Sequence, residues 1–337
     1  MLILGLIIAA LIAIFASLKN KSTTPSPNLS ADTQENPNTA VTTQLNNLSI
    51  DALKKGSYPG SDIVIEQTLD NGSNYKRYIA SYKSENLKIF GLLTVPDGAP
   101  PKGGFPAIIF NHGFIPPAQY VTTQRYVAYQ DGFAKSGYVT FKSDYRGHGN
   151  SEGTPSGAYG SNAYTIDVLN ATTSVEKLSY VNPNKIGMWG HSMGGFLTLR
   201  ALVVRPEIKA SVIWGGVVAS YPDMLTKWTR KTPYPTDQKT WRGTFTALYG
   251  TPEQNPTFWN SISATSYLSN ITGPMQLDYG GADEEVPPDF SKTLYAQMKN
   301  AGKTVEIYEY PGDDHNISHD FNLAEQRSID FFNKYLK

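Results

Sequence analysis

Apolar residues fall into three regimes along the chain. From Leu2 to Leu18 the sequence LILGLIIAALIAIFASL runs without a charge. As a helix rising about 1.5 Å per residue it reaches ~25 Å, the short end of what spans a bilayer, so a single membrane anchor is expected over residues 1–18. A cleaved secretory signal is the competing reading; it is disfavoured because no basic stretch precedes the run and no clean A-x-A site follows it. From residue 19 to 45 aliphatics are sparse, prolines recur and no period appears, so burial cannot offset the entropy of ordering. This stretch reads as a disordered linker, a coil of about 26 residues with an r.m.s. reach of roughly 28 Å.

The third regime covers one domain, residues 46–337. Short β-rich runs recur there: YKRYIASY near Tyr75, LKIFGLLTV from Leu87, PAIIF from Pro106, YVTFKSD from Tyr138, KIGMWG from Lys185, KASVIWG from Lys209, PMQLDYG from Pro274 and KTVEIYEY from Lys303. Between the later runs apolar residues step by three or four, as at Tyr164, Val168, Ala171, Val175 and Leu178, and at Phe196, Leu199 and Leu202. Strand alternating with helix predicts an α/β fold, a mostly parallel sheet with helices on both faces. The first two runs have no helical pattern between them and are expected to pair antiparallel at the sheet edge. Val217 to Gly273 is too long for one crossover and carries Trp228, Trp241 and Trp259, which predicts a helical cap inserted at about 217–273.

Composition then narrows the chemistry. Lys+Arg and Asp+Glu both number 29, so the chain is formally neutral, and without a basic stripe no nucleic-acid partner is expected. A cysteine count of 0 excludes thiol nucleophiles and disulfide frameworks, and leaves the redox compartment open. The 21 tyrosines hint at aromatic-lined clefts.

The strongest chemical signal is Gly190-His191-Ser192-Met193-Gly194, set between an apolar strand and an amphipathic helix. That is the context of a G-x-S-x-G nucleophile elbow, where small residues at 190 and 194 leave room for a tight, strained turn. A serine hydroxyl needs a base, and the base needs a carboxylate to orient it. Asp283 follows the seventh predicted strand and His315 the eighth, both in loops at the strand ends where ligands gather on an open parallel sheet. His319 is the rival base, and Asp278, Glu284 and Glu285 are rival acids. Asp313 and Asp314 read as turn formers.

Acyl transfer also requires two donors for an oxyanion. The Met193 N–H supplies one, and the Phe114 N–H, in the loop after the third predicted strand, is the candidate for the other. His112 reads as a structural histidine beside that loop. The run SDYRGHGNSEG has the glycines of a phosphate loop without its Lys-Ser/Thr pair, so Asp144, Arg146 and His148 are expected to brace a turn instead. The DDHN run lacks metal-ligand spacing, and neither a metal nor another cofactor is expected.

Taken together, FPAIIFNHGF, SDYRGHGNSEG, NKIGMWGHSMGGFLTLRAL, GGADEEVPPDF and VEIYEYPGDDHNI resemble the α/β-hydrolase superfamily, and more closely the catalytic domain of the prolyl oligopeptidase family of serine peptidases. The resemblance runs from about Ile79 to the C-terminus. It implies an eight-stranded sheet whose second strand is antiparallel, with Ser192, Asp283 and His315 as nucleophile, acid and base. Larger members carry an N-terminal β-propeller, for which the residues ahead of the hydrolase pattern leave no room. The HGF at His112 to Phe114 is also seen in feruloyl-type esterases of similar build. The implied function is hydrolysis of a small peptide or ester through an acyl-enzyme; carboxylesterase is the first alternative and a non-catalytic, membrane-tethered binding protein the second. Tyr221, Trp228, Tyr234, Trp241 and Trp259 could line an acyl pocket or form the core of the cap. Lys19 and Lys21 after the apolar run favour a cytoplasmic domain by charge, whereas a Ser/Thr/Pro/Asn-rich tether before a hydrolase is more familiar outside; the extracytoplasmic side is preferred.

Overall fold

The computed structural model describes residues 47–228 and 240–337. The expected anchor, the linker and Tyr234 lie outside the described residues. Among the described residues no helix is long and apolar enough to cross a membrane.

After helix α1 (Ile50–Lys55) come strands β1 (Val64–Leu69), β2 (Tyr75–Ser84), β3 (Leu87–Pro96) and β4 (Phe105–Asn111), then α2 (Val127–Lys135), β5 (Val139–Ser143), α3 (Ala163–Glu176), β6 (Val181–His191) and α4 (Met193–Val204). The chain continues through β7 (Ala210–Trp214), α5 (Tyr221–Thr226), α6 (Thr240–Tyr249), α7 (Pro256–Ile262), β8 (Met275–Gly280), α8 (Asp289–Asn300), β9 (Val305–Tyr310) and α9 (Phe321–Leu336). The strands form one 9-stranded sheet in the order β1-β2-β3-β5-β4-β6-β7-β8-β9. Strands β4 to β9 run parallel, and β3 is antiparallel to both its neighbours, β2 and β5. This is the α/β-hydrolase architecture, with one strand more than the sequence pattern predicts.

The additional strand is β1, antiparallel to β2 at the sheet edge. Five of its six residues are exposed, so it has no buried face to impose a two-residue period on the sequence. The other strands alternate between two cores. In β4, Ala107 and Ile109 belong to a core shared with α1, α3, α4 and α8 on one face, while Ile108 and Phe110 belong to a second core shared with α2 and α9 on the other. Helix α4 is buried nearly all round, which its mostly apolar sequence permits.

From β4 the chain crosses to β5 on one side, and from β5 it crosses back to β6 on the other. The carboxyl ends of β4 and β6 therefore flank a topological switch point, where open α/β sheets bind ligands. Residues 217–273 hold α5, α6 and α7, whose Tyr221, Met224, Phe245, Phe258 and Trp259 share one core, with Tyr221 packed on Phe196 of α4.

Candidate active site

Ser192 sits between β6 and α4 with φ 56° and ψ −121°, a backbone conformation costly for a residue bearing a Cβ. Its N–H donates to the Trp214 carbonyl at 3.1 Å, and its own carbonyl accepts from Gly195 at 3.0 Å and Val217 at 3.0 Å. The flanking glycines are sterically required. A Cβ on Gly194 would lie 1.8 Å from the Asn111 carbonyl oxygen, and one on Gly190 would lie 2.5 Å from the Gly194 oxygen. The turn thus wedges the serine against the end of β4, with the amides of a 12-residue helix beginning at Met193.

Asp283 lies in the loop after β8 and His315 in the loop after β9, as expected. Their side chains meet: His315 Nδ1 and Asp283 Oδ2 are 2.7 Å apart. Asp283 Oδ1 accepts from the amides of Glu285 at 2.8 Å and Val286 at 2.9 Å. The carboxylate therefore has a fixed orientation and accepts a hydrogen bond from Nδ1–H, which leaves Nε2 as the ring atom that can accept a proton. The His315 loop is built by Asp313, whose carboxylate accepts from the amides of Asp314, His319 and Asp320, and by Asp314, which accepts from those of Asn316 and Ser318. Both are turn formers. Ser192 and His315 abut the same short segment after β7: Ser192 bonds Trp214 and Val217, and Gly215 packs on the His315 ring.

The rivals His319 and Asp278 are placed elsewhere. The His319 side chain is 88% exposed and stands 3.5 Å from Asp320. Asp278 is buried within β8, held by Gln276 at 2.7 Å and Tyr310 at 2.9 Å, and burial pushes its carboxyl up to about 7. His112 is buried, bonds the Gly113 carbonyl at 2.7 Å and stacks 4.2 Å from Tyr145; burial holds it well below the usual histidine range. In the loop after β5, Asp144 accepts from Tyr120 and Thr122, Arg146 pairs with Asp167 and Glu85, and His148 bonds the Arg146 carbonyl. Asp313, His319 and Asp320 bring potential ligand atoms within 4.8 Å of one another, but both Asp313 oxygens already accept backbone amides.

Phe114 and Met193 line one cavity of about 710 Å³, closed by Pro116, Tyr159, Tyr164 and Trp241. Among the described residues, none that lines it carries a charge. Of the aromatics expected to line a pocket or to pack, Trp241 reaches this cavity, while Trp259 and Tyr221 are buried among the helices of 217–273. Trp228 bonds the Glu285 carbonyl, beside Asp283. Two residues not singled out by the sequence also belong here. Tyr126 hydrogen-bonds to Gly113 and to His191, neighbours of Phe114 and Ser192. His191 stands inside the elbow motif, but nothing in the spacing around Tyr126 marks it.

Comparison with known proteins bears on the family and the fold. Residues 125–337 match the family described as the prolyl oligopeptidase family. The chain is 23% identical over 286 residues to a probable dipeptidyl-aminopeptidase B of Aspergillus terreus, covering 77% of this chain and 28% of that protein. It thus spans under a third of that relative. Among solved structures it is similar to the Pyrococcus horikoshii acylaminoacyl peptidase, with TM-score 0.63 and 22% identity over 79% of this chain and 42% of that one. It is also similar to acetyl xylan esterase 1 of a Thermoanaerobacterium species, with TM-score 0.65 and 16% identity over 87% of this chain and 93% of that one.

Proposed function

This chain belongs to the prolyl oligopeptidase family, and on that premise we propose that it is a serine hydrolase of the peptidase type with Ser192 as nucleophile, His315 as base and Asp283 as the carboxylate that orients it. Ser192 Oγ attacks the acyl carbon while His315 Nε2 takes its proton. The tetrahedral oxyanion is held by the Met193 and Phe114 amides. His315 then returns the proton to the leaving amine or alcohol; in the second half it takes a proton from the water that attacks the acyl carbon and returns it to Ser192 Oγ as the acid departs. The observation that carries the reading is the 2.7 Å contact of His315 with an Asp283 carboxylate whose other oxygen is fixed by two amides. None of these steps calls for a cofactor.

The cavity beside Met193 and Phe114 supports a neutral substrate, because a charged side chain would lose its hydration there without gaining a charged partner among the described lining residues. We take the acyl side to be apolar or aromatic and the substrate to be a short peptide. Residues 46–337 are proposed as the catalytic unit. Residues 1–18 are proposed to tether it to a membrane, with the catalytic unit on the extracytoplasmic side.

The test is turnover of paired p-nitrophenyl esters and p-nitroanilides of the same acyl groups, with Ser192→Ala alongside. Anilide turnover lost in the variant supports the peptidase. Ester turnover alone would move the protein to the carboxylesterases, and no Ser192-dependent turnover would leave a binding protein.

A further inference from the structure

Three of the four loops of the site are joined by a single directed chain of hydrogen bonds that the catalytic scheme does not use. The His315 carbonyl can only accept, so His191 Nε2, 3.0 Å away, carries the hydrogen of that bond. Burial holds the His191 ring at about 3, so it is neutral and its Nδ1 is an acceptor. Tyr126 Oη lies 2.7 Å from that Nδ1 and therefore donates to it. The same hydroxyl oxygen accepts the Gly113 N–H at 2.9 Å. Every direction is fixed: Gly113 to Tyr126 to His191 to the His315 carbonyl. Because the Tyr126 hydrogen is spent on His191, this hydroxyl is not offered to a substrate oxyanion.

The geometry around the chain is tight. A Cβ on Gly113 would lie 2.5 Å from the Tyr126 hydroxyl and 3.1 Å from the Ser192 Cβ, so the loop bearing Phe114 presses directly on the elbow. Tyr126 caps α2 with φ 56°, directly after Arg125 with φ 47°. Two successive left-handed non-glycine residues are costly and persist only where surroundings over-determine them. The buried ammonium of Lys142 does so here, donating to the carbonyls of Gln124 at 3.2 Å and Arg125 at 3.1 Å.

We propose that Tyr126 is a positioning residue, whose hydroxyl sets the Gly113–Phe114 loop against the elbow and, through His191, ties both to the backbone of His315. This rests on the serine-hydrolase reading above. In its absence the amide of Phe114 and the base loop lose their common reference, and small displacements of catalytic groups carry large rate penalties.

The test uses the full chain, with a fluorophosphonate as a reporter of Ser192 reactivity and p-nitrophenyl butyrate for steady-state rates. Tyr126→Phe is expected to lower both the labelling rate and kcat by about 10- to 100-fold while KM stays within about twofold. His191→Gln, which cuts the next link with Tyr126 in place, is expected to do the same, and serves alone if Tyr126→Phe does not fold. The double variant should be no slower than the slower single, because links in series do not add. Tyr138→Phe is the control: it removes a hydrogen bond to Asn333 at 2.9 Å away from the site and should change thermal stability without changing kcat. Labelling of Tyr126→Phe within about twofold of wild type, or additive losses in the double variant, would overturn the proposal. If wild type itself shows no Ser192-dependent labelling, the serine-hydrolase reading has failed rather than the role of Tyr126.

Discussion

Ser192 depends on neighbours that tolerate no substitution. A Cβ at Gly194 would meet backbone, the Asn111 carbonyl, at 1.8 Å, and backbone cannot swing aside as a side chain can. Gly194→Ala is therefore expected to cost about 3 kcal/mol or more and to lower the melting temperature sharply, which a thermal scan reads directly. Asp283→Asn is a subtler change. It keeps the shape but offers an amide to His315 Nδ1, favouring the wrong tautomer, so kcat should fall by about 10⁴-fold with the fold intact. Ordinary kcat in that variant would remove Asp283 from the proposed mechanism. At this scale the sequence was informative where chemistry and spacing coincide. Ser192 lies in a fixed pattern, and Asp283 and His315 follow strands. Tyr126 was illegible because its role depends on a hydrogen bond to a residue 65 positions away and on a left-handed backbone, neither of which has a local signature.

Elements inherit their legibility from burial. The eight strands with a buried face stand out in the pattern, whereas β1, exposed along nearly its whole length, does not. Strand β8 carries a further consequence of burial. Asp278 is enclosed between Gln276 and Tyr310 and its carboxyl is raised to about 7. Between about pH 4 and 7 the native state holds a proton that the unfolded chain has released, so its contribution to stability is present at low pH and is lost as pH rises through 7. Asp278→Asn removes that titration. Its melting temperature should fall less steeply than wild type between pH 4 and 7, and parallel curves would show that Asp278 ionises as an ordinary surface acid. His191 works with the opposite sign. Its ring is depressed to about 3, so its contribution is complete above the ordinary histidine range and is lost as pH falls toward 3.

At the scale of the whole molecule, the parallel run of β4, β6, β8 and β9 brings residues from four distant loops to one edge, and the reversal of strand order about β4 opens the crevice there. Phe114 follows β4, Ser192 follows β6, Asp283 follows β8 and His315 follows β9. The sheet supplies the rigid frame and the loops the chemistry. Alternation of strand and helix was enough to read this class from sequence. The crossing order was not, because it is set by which helix covers which face. If residues 1–18 tether the domain, the full chain should sediment with membranes, and a chain lacking residues 2–18 should stay in the supernatant with unchanged ester turnover.

Activation of the proposed nucleophile Ser192 is read out by intact-mass and peptide mapping after exposure to a fluorophosphonate. One adduct per chain is expected, on the peptide containing Ser192, absent from Ser192→Ala and much slower to form in His315→Ala. A folded protein that takes up no label, or takes it up on another residue, would contradict it.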